Sequence, residues 1–491
     1  MKKKLVSALL LTTMSLSLLA GCGESGDTTP AAPADTTQTT ETTAADTAAQ
    51  VLEEGPATSD IDITKVPDVS GWDDSKKIMV YEWDDDFQKK LSVVLDHYPE
   101  LKPYVEFNVL GISGTGDEYK TAIDTALAAG DPAKYPSIIP ADNDVAKYWS
   151  EDDSKTMNLY DLGFTTEILK DTYDFAIQYG TYNGELKCVT WQGCPGSVYY
   201  RRDIAKEVLG SDDPADVQAA MADWDKFFET ADKLKAAGYA ITAGSDEVKY
   251  AMWDQQTKPL VTVAADGTET LTLDDTLVDY FETNKKLADG GYTLNASMWD
   301  STWNANMADD GKVFCYFACP WMTGVMTSEK KDADGKVYAS GATNGNWGAI
   351  VGPCGYHWGG TYAMVGKDTP NPELCGFLLW ALTCDTDVLV DIANKYGDGL
   401  SNKAADARLA GGELAEDNAA LVFLGGQNPY GVWADASAAL DQSKRSYADS
   451  TIRGYIDDAA KAYTSGTYSS VDEAMQSVKD QAKTQLGIDA E

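Results

Sequence analysis

Apolar residues in the first part of the chain fall into short runs separated by stretches with helical spacing. Residues 78–83 are a strongly apolar run typical of a buried strand, and residues 105–109 alternate apolar and polar positions as a second strand. Between 117 and 129 the apolar residues recur at helical spacing, and 136–139 predict a third strand. Strands that alternate with helices predict an α/β fold built on a parallel sheet.

Two later segments are also helical in pattern. Residues 212–237 place apolar side chains at intervals of three and four, and Gly238 follows as a stop signal. Trp224 lies on the apolar face of this segment, so we assign it to the core. Ser470 and Glu473 have the spacing of a capping box ahead of the last apolar periodicity. At 491 residues the chain is too long for one core, and two or three domains are expected.

The N-terminus has the pattern of an export signal. Residues 2–4 are lysines, and the mostly apolar stretch at 5–20 is a little short for a membrane span, which needs roughly 20 residues. The Leu-Ala-Gly-Cys sequence at 19–22 resembles the lipobox of bacterial lipoproteins, in which the cysteine receives a diacylglycerol. The resemblance implies a signal peptide over 1–21 and lipidation at Cys22. The alternative is an ordinary secretory peptide that ends near a cysteine.

The segment after Cys22 has a composition typical of disorder. Residues 23–60 are mostly Thr, Ala, Asp and Pro, with almost no aromatic or branched apolar side chains. Such a segment cannot bury enough surface to offset the entropy lost on ordering. We therefore predict that 22–75 form a lipidated cysteine and a disordered linker, and that order begins near Lys76.

The charge balance excludes some partners. With 39 basic and 78 acidic residues, the formal net charge is −39, which argues against nucleic acid and against polybasic binding to anionic lipid. The chain has only two histidines, so serine–histidine or cysteine–histidine catalysis and imidazole metal sites are not expected. We predict no cofactor and no metal. His97 lies in an amphipathic segment and is assigned a structural role.

The cysteines do not form a recognisable framework. Apart from Cys22 there are seven, and an odd number cannot form a closed set of disulfides. The spacing of Cys315 and Cys319 lacks a second ligand pair for zinc. Buried free thiols are the better interpretation of Cys188, Cys194, Cys315, Cys319, Cys354, Cys375 and Cys384.

Several segments, in this order, resemble one protein family. They are the strand at 78–83 with the acidic residues after it, the Pro-Ser-Ile-Ile strand and loop at 136–144, and the Tyr-Asn-Gly sequence at 182–184 with its hinge strand. The Asp-Trp-Asp-Lys-Phe sequence at 223–227, the Pro-Trp pair at 320–321 and residues 347–360 follow. This series resembles the extracellular solute-binding proteins of ABC importers, the family that includes the maltose-binding protein. Departures at Ser137, Glu185 and Val189-Thr190 carry no chemistry in that family.

The resemblance implies an α/β fold of the type II periplasmic-binding-protein class, with two lobes joined by hinge crossovers. Carried over by position, lobe one comprises 76–195 and 361–405, and lobe two comprises 196–358 and 426–491. The crossovers are expected near 194–197 and 359–362, with a third between 401 and 426.

The candidate ligand site combines aromatic rings with carboxylates and amides. Thirteen tryptophans are about twice the ordinary usage. A sugar presents C–H faces that pack on aromatic rings and hydroxyls that need hydrogen-bond partners. Such mixtures occur where the resemblance places the cleft, and Trp321 and Trp358 are the leading candidates for ligand contact; Trp253 and Trp380, like Trp224, are assigned to the core. The predicted ligand-binding residues are Trp83, Asp84, Asp85, Asp142, Asn143, Asp144, Trp191, Gln192, Trp321, His357 and Trp358.

The resemblance implies a function in transport. We expect a monomeric, lipid-anchored binding protein on the extracellular face of the cell membrane that captures a sugar, an oligosaccharide in particular, for the permease subunits of an ABC importer. It is not expected to be an enzyme. The alternatives are an exported glycoside hydrolase, which needs only two carboxylates, and a binding protein for a polyamine or a peptide.

Overall fold

The computed structural model describes residues 56–264, 266–342 and 345–490. The predicted signal peptide, Cys22 and most of the predicted linker lie outside these ranges. In the ranges described, no helix is long and apolar enough to cross a bilayer. The seven cysteines of these ranges are free, and five of them are buried.

The strands are short. They are β1 (Ile78–Glu82), β2 (Val105–Val109), β3 (Pro136–Asp142), β4 (Thr181–Tyr182), β5 (Glu185–Leu186), β6 (Ser197–Arg201), β7 (Val261–Val263), β8 (Glu269–Leu271), β9 (Cys315–Ala318), β10 (Lys330–Lys331), β11 (Val337–Ala339), β12 (Trp347–Ile350), β13 (Thr361–Val365) and β14 (Asp489–Ala490).

Helices separate and cover the strands. They are α1 (Asp86–His97), α2 (Asp117–Ala129), α3 (Lys147–Ser150), α4 (Asp174–Gly180), α5 (Arg202–Leu209), α6 (Pro214–Ala220), α7 (Trp224–Ala237), α8 (Lys249–Trp253), α9 (Thr276–Asp289), α10 (Ser301–Ala305), α11 (Met322–Thr327), α12 (Pro372–Cys384), α13 (Thr386–Tyr396), α14 (Lys403–Arg408), α15 (Ala419–Phe423), α16 (Tyr430–Ala438), α17 (Asp449–Thr464) and α18 (Val471–Gln481).

The first lobe is built on a sheet of four strands in the order β13-β3-β1-β2. β1 is parallel to β2 and to β3, whereas β13 is antiparallel to β3. β3 is buried along nearly its whole length, as expected for a strand covered by helices on both faces. Because the carboxyl ends of parallel strands share one edge, the residues that follow β1 and β3 lie at the same edge of this sheet.

The second lobe is built on an antiparallel sheet of three strands in the order β12-β6-β9. Every residue of these strands is buried. Helix α7 packs nearby, where Trp224 stacks on Phe317 of β9 with ring centroids 5.9 Å apart. The assignment of Trp224 to the core therefore fits its position.

The segments that connect the two sheets pack tightly against one another. Pro195, ahead of β6, pairs with His357, ahead of β13. The Gly193 N–H donates to the Gly399 carbonyl at 3.0 Å, so a third segment joins them. A Cβ at Gly193 would collide with the Leu400 carbonyl, which explains the glycine. The sheets establish the strands of each lobe, and the residue limits given above for the two lobes stay predictions.

The structure divides the helix predicted over 212–237 into α6 and α7. The break falls at residues 221–223, where the Asp223 carboxylate accepts a hydrogen bond from the Lys226 N–H at 2.7 Å and caps α7. Both helices present apolar residues to the same core, so the apolar spacing continues across the break. Periodicity alone therefore missed the N-cap.

Residues 56–75 correct the prediction of a disordered linker up to residue 75. Ile63 is 4% exposed and packs against the backbone at Gly163. Trp72 meets Tyr104 edge to face, with ring centroids 5.1 Å apart. Unlike the Thr- and Ala-rich stretch before it, this segment carries enough apolar side chains to pack on the first lobe.

Candidate functional site

The turn after β3 presents two carboxyl groups beside the crossover. The Asp144 N–H donates to the Asp142 carboxylate at 2.8 Å, which fixes the turn. The Asn143 N–H donates to the Gly360 carbonyl at 2.9 Å and holds the turn against the crossover segment. Asn143 is buried, and its Oδ1 has no hydrogen-bond partner among the described residues. The three predicted residues are therefore brought together at one point of the cleft edge.

Asp142 is poised between its two protonation states. Burial raises the pKa of Asp142 to about 7, and the nearby charge of Asp144 adds to the rise, while the hydrogen bond from the Asp144 N–H opposes it. Near neutral pH this carboxyl group therefore exists both as an acceptor and as a donor. Either form can hydrogen-bond a hydroxyl group of a ligand.

The turn after β1 presents exposed acids at the same sheet edge. Asp84 accepts a hydrogen bond from the Asp86 N–H at 3.0 Å, and Asp85 pairs with Lys89 at 2.7 Å. Trp83 is partly buried and meets Tyr119 edge to face at 5.6 Å. Asp84 and Asp85 thus have local partners at the start of α1, and their role as ligand contacts stays a prediction.

Four aromatic side chains of the second lobe form one cluster. The Trp321 and Trp358 rings are 5.0 Å apart at an interplanar angle of 69°, so the structure brings the two leading candidates together. Tyr250 of α8 stacks on Trp358 at 4.5 Å. Trp299 lies parallel to Trp321, within 8° and 6.2 Å, and 6.1 Å from Trp358.

Trp299 has an unusual backbone conformation. Its φ is +72°, in the left-handed region that a bulky side chain rarely adopts. The conformation is held by Asn304, whose Nδ2 donates to the Trp299 carbonyl at 3.0 Å, and by Asp300, which caps α10. The indole remains 49% exposed. Backbone strain of this kind costs about 1–3 kcal/mol and occurs most often at functional sites.

A buried carboxyl group supports the aromatic cluster from below. Glu247 accepts hydrogen bonds from the Trp303 indole N–H at 2.5 Å and from the Phe317 N–H at 3.1 Å. Trp303 packs under Trp299 at 4.9 Å, and Phe317 lies on the strand that leads to Trp321. Glu247 also comes just before α8, which carries Tyr250. Glu247 therefore helps to position three of the four rings, those of Trp299, Trp321 and Tyr250.

Two glycines connect the aromatic cluster with the acidic turn. Gly359 and Gly360 have φ values of +81° and +98°, which favour glycine at both positions. A Cβ at Gly359 would lie 3.2 Å from the Trp321 Nε1, so the backbone passes directly beside that indole. Gly360 accepts the hydrogen bond from Asn143. The acidic turn of the first lobe and the rings of the second thus meet across two residues of backbone.

Electrostatics indicate the same proximity. Burial raises the pKa of Tyr250, and the charges of Asp144 and Asp142 raise it further. The charges of both carboxylates therefore act on the Tyr250 hydroxyl, although the tyrosine belongs to the other lobe. The candidate site is the region where Asp142 and Asp144 face this aromatic cluster.

Three predicted residues lie at the crossovers and not in the aromatic cluster. Trp191 is fully buried, and its indole N–H donates to Asp398 at 3.1 Å. The Gln192 Oε1 accepts a hydrogen bond from the Thr361 N–H at 3.1 Å. His357 is 1% exposed, and burial lowers the pKa of its imidazole to about 3, so the ring is neutral. These contacts suit a structural role, and ligand contact by these residues stays a prediction.

A buried ion cluster lies next to the site. Asp254 accepts hydrogen bonds from Arg445 at 3.2 Å, from Arg453 at 3.1 Å and from the His357 N–H at 2.7 Å. Arg445 also approaches Asp449 at 3.7 Å. Both guanidinium groups are therefore already neutralised by carboxylates of the protein.

The arrangement suits binding. In the described part of the chain, no group of three or more His, Cys, Asp or Glu side chains is placed to hold a metal ion. What the site offers is flat aromatic surface beside carboxyl groups, a combination that binds a ligand with both C–H faces and polar groups.

Sequence reasoning missed Tyr250 and Trp299. Tyr250 follows the acidic sequence at 246–247, and Trp299 comes directly before Asp300, an N-cap residue. A residue just before an N-cap lies on a loop, outside the helix. The N-cap signal at Asp300 could therefore have predicted that Trp299 lies on a loop. Nothing in the local sequence indicates that Tyr250 meets Trp358 or that Trp299 meets Trp321.

Solved structures with a similar fold include several binding proteins. An extracellular solute-binding protein of family 1 has a TM-score of 0.67 and 18% identity, covering 83% of this chain and 99% of that chain. The Bifidobacterium longum galacto-N-biose- and lacto-N-biose I-binding protein of an ABC transporter, in complex with lacto-N-biose, has a TM-score of 0.62 and 16% identity, covering 85% and 100%. The sugar-binding protein MalE of Xanthomonas citri has a TM-score of 0.62 and 16% identity, covering 83% and 97%. At this identity the likeness concerns the fold, and it confirms the two-lobe α/β prediction.

No curated protein matches the sequence significantly. The family described as bacterial extracellular solute-binding protein matches residues 82–422, which is more than half of the chain. This match confirms the resemblance inferred from the sequence. The chain belongs to the bacterial extracellular solute-binding proteins.

Proposed function

We propose that the protein is a lipid-anchored binding protein that captures a sugar, an oligosaccharide in particular, and delivers it to the permease of an ABC importer. The observation that carries the proposal is the set of indole rings at Trp299, Trp321 and Trp358 beside the carboxyl groups of Asp142 and Asp144. Aromatic faces pack on the C–H faces of a sugar, and carboxyl groups hydrogen-bond its hydroxyls.

The structural neighbours support this choice of ligand. One of them, the ABC transporter associated binding protein from B. animalis subsp. lactis Bl-04, was solved in complex with β-1,6-galactobiose; it has a TM-score of 0.60 and 19% identity, covering 85% of this chain and 99% of that chain. The site proposed here draws on both lobes, so a ligand gains its full set of contacts when the lobes close. The closed form is then what a permease recognises.

The glycoside hydrolase alternative fits the site less well. Such enzymes need two carboxyl groups that flank the scissile bond. Asp142 and Asp144 belong to one turn and share a hydrogen bond, so they lie on the same side of a ligand. Across from them lie aromatic rings and the paired groups of the ion cluster. We therefore infer binding without hydrolysis.

Replacing Trp321 with alanine is expected to weaken sugar binding by roughly 30-fold, or about 2 kcal/mol, the scale of an aromatic hot spot. The Trp321 ring is partly exposed and contacts Trp358, so its loss removes stacking surface from the site. A thermal-shift screen of mono- and oligosaccharides identifies the sugar, and calorimetry then compares the variant with the wild type.

Trp224→Ala is the matched control for this experiment. Trp224 is also a partly buried tryptophan, and its ring contacts are with Phe227 and Phe317, not with the four rings of the cluster. This variant is expected to lose stability and to keep its affinity for the sugar. Wild-type affinity in Trp321→Ala together with a large drop in melting temperature would place Trp321 in the core and contradict the proposed site.

Replacing Cys22 with serine is expected to release the protein from membranes. The proposed anchor is the lipid attached at this thiol, and more than one acyl chain is expected because a single chain anchors only marginally. Metabolic labelling with a radioactive fatty acid and membrane fractionation test this. Cys188→Ser, which removes a buried thiol, is the control and keeps both the label and the membrane location. An unlabelled wild type, or a Cys22→Ser variant that stays in the membrane fraction, would contradict the anchor.

A further inference from the structure

Three indoles of the site contact one another, and they range from half exposed at Trp299 to 6% exposed at Trp358. Trp299 and Trp321 are parallel within 8°, and Trp358 stands at 63° to one and 69° to the other. The three centroid distances are 6.2, 6.1 and 5.0 Å. We refer to Trp299, Trp321 and Trp358 as the indole box. Rings this close allow one point to lie within about 6 Å of all three centroids, the range over which a cation is attracted to an aromatic face.

A neutral sugar does not require three aromatic rings in this arrangement. A sugar ring is held by stacking on one aromatic face or between two facing ones, with contacts of about 3.5–4.0 Å on each side. The 6.2 Å between the parallel rings leaves too little room for a sugar ring between them. Converging faces suit a compact group, and aromatic faces carry negative potential, which favours a positively charged group.

The opposite side of the site is acidic. The turn with Asp142 and Asp144 is tied to Gly360, two residues after Trp358. The cations nearest to this region already have partners: Arg445 pairs with Asp254, and Lys249 pairs with Asp457 at 3.5 Å. The charge of Arg445 also interacts with Asp144, but this one guanidinium group is shared among the carboxylates of Asp254, Asp449 and Asp144. It therefore does not neutralise both acids of the turn.

The position of Trp299 is maintained against strain. Its φ of +72° is unfavourable for a tryptophan, and its indole is half exposed, so burial of the ring does not compensate for the strain. What the conformation achieves is the placement of a third ring beside Trp321 and Trp358. This is the expected pattern where a backbone is strained for the sake of a binding site.

We propose that the ligand carries a positively charged amino group, which the indole box holds while Asp142 and Asp144 face it from the other lobe. This inference rests on the proposed function and narrows it: the sugar is an amino sugar with a free ammonium group. A neutral or N-acetylated analogue of the same size lacks the charge and binds more weakly.

The experiment compares sugars that differ only in this group. Calorimetry on the full-length protein measures the disaccharides of glucosamine, N-acetylglucosamine and glucose, all with the same β-1,4 linkage, and every sugar found in the thermal-shift screen is paired with its 2-amino-2-deoxy form. The amino form is expected to bind about tenfold more tightly or better, the scale of a desolvated cation–π contact. This preference should decrease as salt is added.

Two variants test the box and the acids separately. Trp299→Leu keeps apolar bulk but removes the aromatic face, and Asp144→Asn removes one charge; each is expected to reduce the preference for the amino form at least severalfold. Asp225→Asn makes the same charge change on the exposed side of α7 and should leave the preference unchanged.

The outcomes separate this inference from the proposed function. Neutral sugars that bind as tightly as their amino forms would overturn the inference and leave the sugar-binding function intact. Binding of spermidine or choline, with no sugar bound, would overturn the sugar function and support recognition of a cation. If neither the sugars nor these two cations bind, both proposals are overturned.

Discussion

Replacing Trp191 with alanine is expected to lower the free energy of unfolding by about 3–5 kcal/mol, the usual loss for a buried tryptophan. Trp191 has no exposed surface and meets Phe87 edge to face at 5.6 Å. Its N–H also donates to Asp398, a buried carboxylate whose other close partner is Lys90 at 3.2 Å. The variant therefore creates a cavity and takes a hydrogen bond from a buried charge. Denaturant unfolding of the ligand-free protein measures the loss.

Trp191→Phe separates the contribution of packing from that of the hydrogen bond to Asp398. It keeps most of the packing volume and removes the N–H, so a smaller loss than that of the alanine variant is expected. The same experiment decides between the two roles open to this residue. A loss below about 1 kcal/mol in the alanine variant, together with much weaker sugar binding, would show that Trp191 faces the ligand and not the core.

The second large effect is a loss of stability with rising pH that depends on Glu247. Burial raises the pKa of Glu247 from 4.5 to about 8, although the hydrogen bond from Trp303 opposes the rise. The folded protein therefore binds this proton more tightly than the unfolded chain does. The contribution is complete below pH 4.5 and is lost as the pH rises through 8. The shift corresponds to a loss on the order of 5 kcal/mol over that interval.

Glu247→Gln isolates this contribution, because a glutamine does not titrate. The variant itself is expected to be less stable at low pH, since its NH₂ group would face one of the two N–H donors. The quantity to compare is the slope of unfolding free energy against pH, which should be less negative in the variant. Glu82, whose pKa burial also raises to about 8, titrates in both proteins and cancels. Parallel slopes would contradict the buried, protonated Glu247.

Much of the fold could be predicted because short-range patterns determined it. Strand β2 and helix α2 have the limits that their apolar spacing predicts, and the Ser470 hydroxyl accepts the hydrogen bond from the Glu473 N–H at 3.2 Å that the capping box requires. The docking of residues 56–75 could not be read in the same way. Ile63 packs close to Gly163 and Gly376, and these contacts join positions far apart in the sequence.

The candidate site was predictable in part. The family resemblance placed Trp321, Trp358 and the acids of the β3 turn at the cleft, and the structure brings the two indoles together. Trp299 lies on a strained loop and Tyr250 on a short helix. Hydrophobic periodicity does not predict that either residue belongs to the cluster. The site depends on tertiary contacts such as the bond between Glu247 and Trp303, which only the folded structure reveals.

The docked segment at residues 56–75 has a mechanical consequence. Any pull on the chain ahead of residue 56 is carried into the first lobe through Ile63 and Trp72, because both are packed there. Under the proposed anchor at Cys22, the second lobe bears none of this load and is free to rotate about the crossovers. The first lobe is then the fixed part and the second lobe the moving part, so the proposed closure on a ligand does not depend on the tension in the tether.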